Sequence, residues 1–197
     1  MNDAQPFSRE SINQQILAAR QAGQTPDLSG IYLAGLDLSQ IDLSQVRLRQ
    51  ANLHSANLQN ANLAEADLTG ANLQAADLRQ ANLARARLNE ADLSKANLAG
   101  CDLGNTMTNQ ARFDGADLTG AKLRSHWFFK VSAKGAIFDQ ADLSSAEGEE
   151  CDFSTAHFAA ANLAQVHFRR SNFTKANLNA SELRAARLPN AYLSRAT

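Results

Sequence analysis

Residues 51–85 read ANLHS ANLQN ANLAE ADLTG ANLQA ADLRQ ANLAR, which are seven consecutive copies of one five-residue unit. The same frame runs from Leu28 to Leu193, where every fifth residue gives 34 central positions. Leucine fills 24 of these centres and phenylalanine fills seven, and two residues before the centre alanine fills 21 of 34 positions. The exceptions at the centre are Thr108, Ala133 and Gly148. The chain is therefore an uninterrupted tandem repeat.

A period of five fits neither of the two ordinary secondary structures. On a helix, five residues advance about 500°, so the leucines would spiral around the rod and form no face. On a flat strand, an odd period would send successive leucines to opposite sides. The pattern is consistent if the chain turns a corner in every repeat, with alanine and leucine inward and the polar residues outward. Four corners close a coil of 20 residues, so the 34 repeats predict an all-β solenoid of about 8.5 coils.

The A-(N/D)-L-x-x tandem resembles the pentapeptide-repeat family over about residues 26–195. This resemblance implies that residues 26–197 form a right-handed quadrilateral parallel β-helix, preceded by an N-terminal segment, residues 1–25. Some members of the family protect DNA gyrase by resembling duplex DNA, so the resemblance also suggests a topoisomerase-directed function. A fold alone does not decide between functions.

Residues 8–22, SRESINQQILAARQA, predict a short amphipathic helix that caps the first coil. Ser8 is the expected N-cap and Gly23 the expected stop signal. A cap is needed because an open coil end is an unpaired strand edge. The side chains expected to face the first coil are Ile12, Ile16, Leu17 and Ala19.

The opposite end of the repeat, ARLPNAYLSRAT, contains no closing helix. We therefore expect the last coil to pair with a second copy of the chain or with a missing domain, unless it is a tolerated frayed end. The residues of this predicted oligomer edge are Leu188, Tyr192 and Leu193.

Two of the three broken centres, Thr108 and Gly148, share one face, because residues 20 apart stack on neighbouring coils. An exposed apolar cluster with a charged rim is typical of a binding site. The candidate partner-binding residues on this face are Met107, Trp127, Phe129, Lys130, Glu147, Glu149, Glu150, His167, Arg169 and Arg170. Two alternatives are a bulge over residues 124–135, which His126 in an inward alanine slot favours, and neutral drift of this face.

Charge is unevenly distributed along the chain. The positions Asp27, Arg47, Asp67 and Arg87 alternate in sign on neighbouring coils and predict a cross-strand ladder of ion pairs. Residues 139–152 carry six acidic side chains and no Lys or Arg, whereas residues 153–197 carry six basic side chains and one acidic. Mimicry of DNA along the full length is therefore not expected, but the acidic band could bind a basic partner.

Composition and motifs restrict the function further. The 197 residues are 44% hydrophobic and 20% charged with a net charge of −1, which predicts a soluble, cytoplasmic protein without direct nucleic-acid binding. No apolar run approaches the roughly 18 residues of a membrane helix, and the start of the chain is not a secretory signal. Cys101 and Cys151 lie 2.5 coils apart, too far for a disulfide. No motif indicates a catalytic residue, a metal site or a cofactor.

These patterns favour a non-catalytic scaffold that presents a protein-binding patch on one face of a rigid rod. One alternative is a gyrase- or topoisomerase-directed protein that acts by partial DNA mimicry. Another is the repeat module of a larger secretion-system or effector protein. The identity of the partner does not follow from the sequence.

Overall fold

The computed structural model describes residues 7–197. One helix, α1 (Arg9–Gln21), precedes a parallel β-helix with three short strands, β1 (Trp127–Phe129), β2 (Glu147–Glu149) and β3 (His167–Arg169). β1 pairs with β2 and β2 with β3, in parallel and with a register of 20 residues. Elsewhere neighbouring coils pair through isolated parallel bridges with the same register. The predicted coil of 20 residues is confirmed.

Each repeat ends in a tight turn that forms one corner of the coil. The N–H of Ala51, for example, donates to the carbonyl oxygen of Leu48 at 3.1 Å. The residue before this alanine position has a positive φ in every repeat, and most of these residues are not glycine; Gln50 has a φ of 55°. Since side chains other than glycine disfavour this conformation, the hydrogen bonds to the neighbouring coils must hold it in place.

The preference for Asn or Asp before each centre has a local cause. The Asp27 carboxylate accepts a hydrogen bond from the backbone N–H of Ser29 at 3.0 Å, an Asx-type turn that most repeats share. Met107 cannot accept such a bond. There the N–H of Asn109 donates to the Asn89 side-chain oxygen of the preceding coil at 3.1 Å. A side chain 20 residues earlier thus replaces the missing one.

The core is a single stack of inward alanine, leucine and phenylalanine side chains. In the second half the phenylalanine rings stack between coils, with Phe138 and Phe158 centroids 4.9 Å apart. Cys101 and Cys151 are buried and free, as predicted. Burial raises the pKa of Cys101 to about 12 and that of Cys151 to about 11, so both remain neutral thiols.

Helix α1 begins as the sequence predicts. The Ser8 hydroxyl accepts a hydrogen bond from the N–H of Ser11 at 3.1 Å, and the Ser11 hydroxyl accepts one from the N–H of Ser8 at 3.0 Å. This reciprocal capping box satisfies two backbone donors at the helix start. Ala22 is the C-cap, and Gly23 follows with a φ of 68°.

The prediction that Leu17 faces the first coil is wrong, because its side chain is 55% exposed. The buried stripe consists of Ile12 and Ile16, and Arg20 continues it at the same four-residue spacing. Arg20 Nη1 donates to Asp42 Oδ2 at 2.8 Å. Leu17 lies about 100° around the helix from Ile16 and so falls outside this stripe.

The backbone keeps its register through residues 124–135. Ser125, Lys130 and Gly135 adopt the same positive φ as the equivalent residues of other repeats. β1 lies within this segment and pairs with β2 without an extra residue. The alternative of a bulge in this segment is therefore wrong.

The glycine at centre 148 is required by packing. A Cβ atom on Gly148 would lie 2.6 Å from Cε1 of Phe168, and Phe128 contributes its ring from the other side. The centroids of these two rings are only 5.8 Å apart, although the residues lie two coils apart. Phe128 and Phe168 thus fill the space that a leucine at position 148 would occupy.

Candidate protein-binding face

A buried polar cluster lies beneath the candidate face. The His126 ring occupies an inward alanine slot and stacks against Phe128, with ring centroids 4.4 Å apart. Its Nε2 lies 2.7 Å from Thr108 Oγ1, and its Nδ1 lies 3.3 Å from Thr106 Oγ1. Two of the irregular inward positions, 106 and 126, are therefore stacked and hydrogen-bonded to each other.

The hydrogen bonds of this cluster define the tautomer of His126. Thr106 donates its hydroxyl proton to the carbonyl oxygen of Leu103 at 2.9 Å, so its oxygen is left to accept from Nδ1–H. Nε2 then accepts from the Thr108 hydroxyl. Burial lowers the pKa of His126 to about 4, so the ring is neutral at pH 7.

One bridge is missing from the ladder on this face. Met107 and Trp127 are 20 residues apart, yet they do not pair as the equivalent residues of the other described coils do. The flanking bonds are intact, with the N–H of Gln110 donating to the Phe129 carbonyl at 2.8 Å and that of Glu147 to His126 at 2.9 Å. The gap is therefore confined to a few residues.

The position of the gap points to its cause. His126 directly precedes Trp127 and carries an imidazole where most repeats have alanine, with Thr106 in the same slot one coil earlier. A larger side chain in a packed core displaces the backbone around it. We attribute the missing bridge to this enlarged pair.

The apolar patch, which we define as Met107, Trp127 and Phe129, lies on the outside of the same coils. Met107 is 52% exposed and Trp127 is 45% exposed, whereas Phe129 is half-buried. The Lys130 ammonium lies 5.2 Å from the centre of the Phe129 ring and covers part of it. The other exposed large hydrophobic residues belong to α1 and the terminal coils: Phe7, Leu17, Tyr32, Leu183, Tyr192 and Leu193.

Most of the charges near the patch are already paired. Arg169 Nη2 lies 2.6 Å from Glu149 Oε1, and Arg170 Nη1 lies 3.7 Å from Glu150 Oε1. Lys130 Nζ lies 3.6 Å from another oxygen of Glu150. The hydrogen bond from Arg169 holds the pKa of Glu149 below its usual value. This part of the acidic band is neutralised within the chain.

The predicted ladder of alternating charges forms only in part. Arg47 lies 3.7 Å from Asp27, but Asp67 pairs with Arg49 at 3.4 Å. Within residues 7–197, the Arg87 guanidinium has no carboxylate within 4.0 Å. The continuous ladder is therefore wrong beyond its first pair, and Arg87 remains an exposed cation beside the patch.

Glu147 and His167 extend the candidate face beyond Trp127. Their side chains are exposed and stack in register on β2 and β3. No cation lies within 4.0 Å of the Glu147 carboxylate in the part of the chain that the structure describes. The structure thus brings the predicted residues onto one face but separates paired charges from free ones.

The predicted oligomer edge lies at the last coil, away from the patch. Leu188 is half-buried, and Tyr192 and Leu193 are exposed. The backbone N–H groups of Leu188 and Leu193 find no acceptor among the described residues. That this edge binds another chain stays a prediction.

Metal and membrane sites were searched over the same residues. Within 7–197, no group of three or more His, Cys, Asp or Glu side chains is arranged to hold a metal ion. No helix in this range is long and apolar enough to cross a membrane.

A family model of pentapeptide repeats matches eight copies in this chain, over residues 27–64, 66–105, 96–132 and 151–188. The chain belongs to the pentapeptide-repeat family. Its coils form the right-handed quadrilateral β-helix of that family, as the sequence resemblance implied.

Solved structures of other pentapeptide-repeat proteins are similar. HetL, involved in heterocyst differentiation regulation in the cyanobacterium Nostoc sp. strain PCC 7120, is 28% identical over 93% of both chains, with a TM-score of 0.48. QnrB1, a plasmid-mediated fluoroquinolone resistance protein, is 16% identical over 86% of this chain and 84% of its own, with a TM-score of 0.55. A protein of the Arabidopsis thaliana thylakoid lumen is 39% identical over 51% of this chain and 66% of its own, with a TM-score of 0.39. No curated protein matches.

Sequence reasoning missed two features of this face. The bond between His126 and Thr108 had a signal, because polar residues occupied inward positions on successive coils. The isolation of Arg87 had none, because the choice of Asp67 for Arg49 depends on side-chain conformation.

Proposed function

We propose that this pentapeptide-repeat protein is a non-catalytic scaffold whose apolar patch binds a protein partner. The observation that carries the proposal is the exposure of Met107 and Trp127 in the middle of the rod. Tryptophan and methionine are enriched in the cores of protein interfaces. Partly exposed apolar side chains of this size gain most when a partner covers them.

The backbone beneath the patch supports this function. β1 pairs with β2, and the Phe128 ring below it packs against His126, Phe153 and Phe168. Side chains on such a framework are held in place before binding, which lowers the entropic cost of association. A cytoplasmic location of the scaffold remains a prediction.

The topoisomerase-directed alternative has weaker support. DNA mimicry needs free carboxylates, whereas Glu149 and Glu150 are paired with Lys130, Arg169 and Arg170. QnrB1 shares the fold at 16% identity, which carries no functional argument. The role of a module within a larger protein remains compatible with a binding scaffold.

The test is affinity capture from a lysate of cells that express the protein. The immobilised wild type is compared with a Met107→Ala/Trp127→Ala variant, and circular dichroism confirms that both are folded. The matched control is Tyr32→Ala, which removes an exposed aromatic side chain from the first coil. We expect the double variant to lose a partner that wild type and control retain. Equal capture by all three would contradict the proposal.

A further inference from the structure

Four outward residues on successive coils form one row across the candidate face: Arg87, Met107, Trp127 and Glu147. With coils about 4.8 Å apart, the row spans about 14 Å. Its two central members are apolar and exposed. Its two ends carry opposite charges without ion-pair partners in the described chain.

This row is complementary to itself when it is turned around. A two-fold axis that crosses the rod between Met107 and Trp127 brings Arg87 of one copy opposite Glu147 of the other, twice. The same rotation places each methionine opposite a tryptophan, a contact that sulfur and aromatic rings favour. A two-fold interface requires this kind of self-complementary surface.

We propose that the apolar patch binds a second copy of this chain, side by side and antiparallel. The inference rests on the proposed function, because it names the partner of the same patch. A parallel arrangement would oppose Arg87 to Arg87 and Glu147 to Glu147, and like charges in contact are unfavourable. The charges thus select the antiparallel orientation.

The neighbouring residues limit the extent of the contact. One coil further out, Asp67 faces His167 of the second copy, which is a favourable approach of an acid and an imidazole. Beyond that, Arg47 faces Arg187 of the second copy, which is repulsive. The contact is therefore centred on four coils and is smaller than the roughly 800 Å² per partner of a stable interface. We expect a weak dimer that forms with increasing concentration.

Charge reversal tests the arrangement by sedimentation equilibrium over a concentration series. In Arg87→Glu, both ends of the interface become acidic pairs; in Glu147→Arg, both become basic pairs. We expect each variant alone to associate at least about tenfold more weakly than wild type. An equimolar mixture of the two variants restores both opposite-charge pairs and should associate as well as wild type. The double variant Arg87→Glu/Glu147→Arg should do the same.

The control is Arg85→Glu, which reverses an exposed charge that pairs with Glu65 outside this row. It should leave self-association unchanged. A wild type that stays monomeric throughout the series would overturn the inference, as would dimers that both single variants retain.

The capture experiment separates this failure from that of the proposed function. If wild type is monomeric but the Met107→Ala/Trp127→Ala variant loses a captured protein, only the self-association is wrong. If self-association and capture are both independent of the patch, both proposals are wrong.

Discussion

At the residue scale, the exceptions to the repeat are explained by their neighbours on adjacent coils. Gly148 has no side chain because the Phe128 and Phe168 rings meet across it. Thr108 replaces leucine where its hydroxyl can donate to His126. Each exception is thus one half of a packing or hydrogen-bonding pair whose other half lies a coil away.

The first prediction concerns Gly148. We expect Gly148→Leu to lower the free energy of unfolding by about 1–3 kcal/mol, because the added side chain overpacks against Phe168. Adding Phe168→Leu should recover part of this loss by making room. The measurement is the midpoint of urea denaturation.

A matched control is Gly120→Ala. A Cβ atom there meets nothing within 4 Å, and alanine already adopts the same positive φ at Ala75 and Ala160. The midpoint should shift much less than in Gly148→Leu. Equal shifts in the two variants would contradict the packing explanation.

The second prediction concerns the pH dependence of stability. Because His126 has a pKa of about 4 when folded and 6.5 as its model value, the unfolded chain binds the extra proton between these values. Stability should therefore fall as the pH decreases from about 6.5 to about 4, by up to about 3 kcal/mol. In His126→Ala this part of the decrease should disappear. Urea denaturation at pH 7 and pH 4.5 measures it.

The control for the pH experiment is His54→Gln, which removes an exposed histidine from the first half of the rod. It should keep the pH dependence of the wild type. If His126→Ala keeps that dependence as well, the pKa of His126 is not depressed.

The sequence predicted these residues unevenly. The five-residue frame identified Thr108, His126 and Gly148 as exceptions, because any departure stands out against 34 copies. It could not show that Gly148 is filled by rings from both sides, since this depends on side-chain conformation. Nor could it show that His126 is fully hydrogen-bonded and displaces the backbone without adding a residue.

At the scale of the structural element, the ladder is strong everywhere except between Met107 and Trp127. The third prediction is that the amides of Thr108 and Trp127 exchange with deuterium faster than that of Glu147. The Glu147 amide donates to the His126 carbonyl at 2.9 Å and serves as the internal reference. Amides without a backbone acceptor are protected less. Residue-resolved hydrogen exchange by NMR gives the comparison.

The fourth prediction restores the repeat at this gap. In Thr106→Ala/Thr108→Leu/His126→Ala, three irregular inward positions regain their usual residues. We expect the missing bridge to form, so that exchange of the Trp127 amide slows to the rate of the Glu147 amide. Unchanged exchange in this variant would mean that the buried cluster is not the cause of the gap.

Helix α1 shows why elements are predicted better than their orientation. Ser8 identified its start, because capping depends on residues close in sequence. The exposure of Leu17 was not predicted, because the stripe of Ile12 and Ile16 continues to Arg20, whose bond to Asp42 lies on another element. Periodicity within a helix cannot identify such a partner.

At the scale of the whole molecule, the balance of charge bears on the topoisomerase hypothesis. The fifth prediction is that the protein does not protect DNA gyrase from a quinolone in a supercoiling assay. Its acidic band is partly neutralised by Lys130, Arg169 and Arg170, and it lacks the continuous acidic surface of a DNA mimic. Protection that Glu149→Gln/Glu150→Gln abolishes would contradict this expectation.

The fixed length of the coil restricts how this chain can change length in evolution. An insertion of five residues extends the path by one side and rotates everything after it by a quarter turn. Within residues 87–147 such an insertion would divide the row of four residues between two faces, whereas one of 20 residues would only lengthen it. Before residue 87 or after residue 147, steps of five leave the row intact. Homologues that share the interface should therefore differ in length outside this segment.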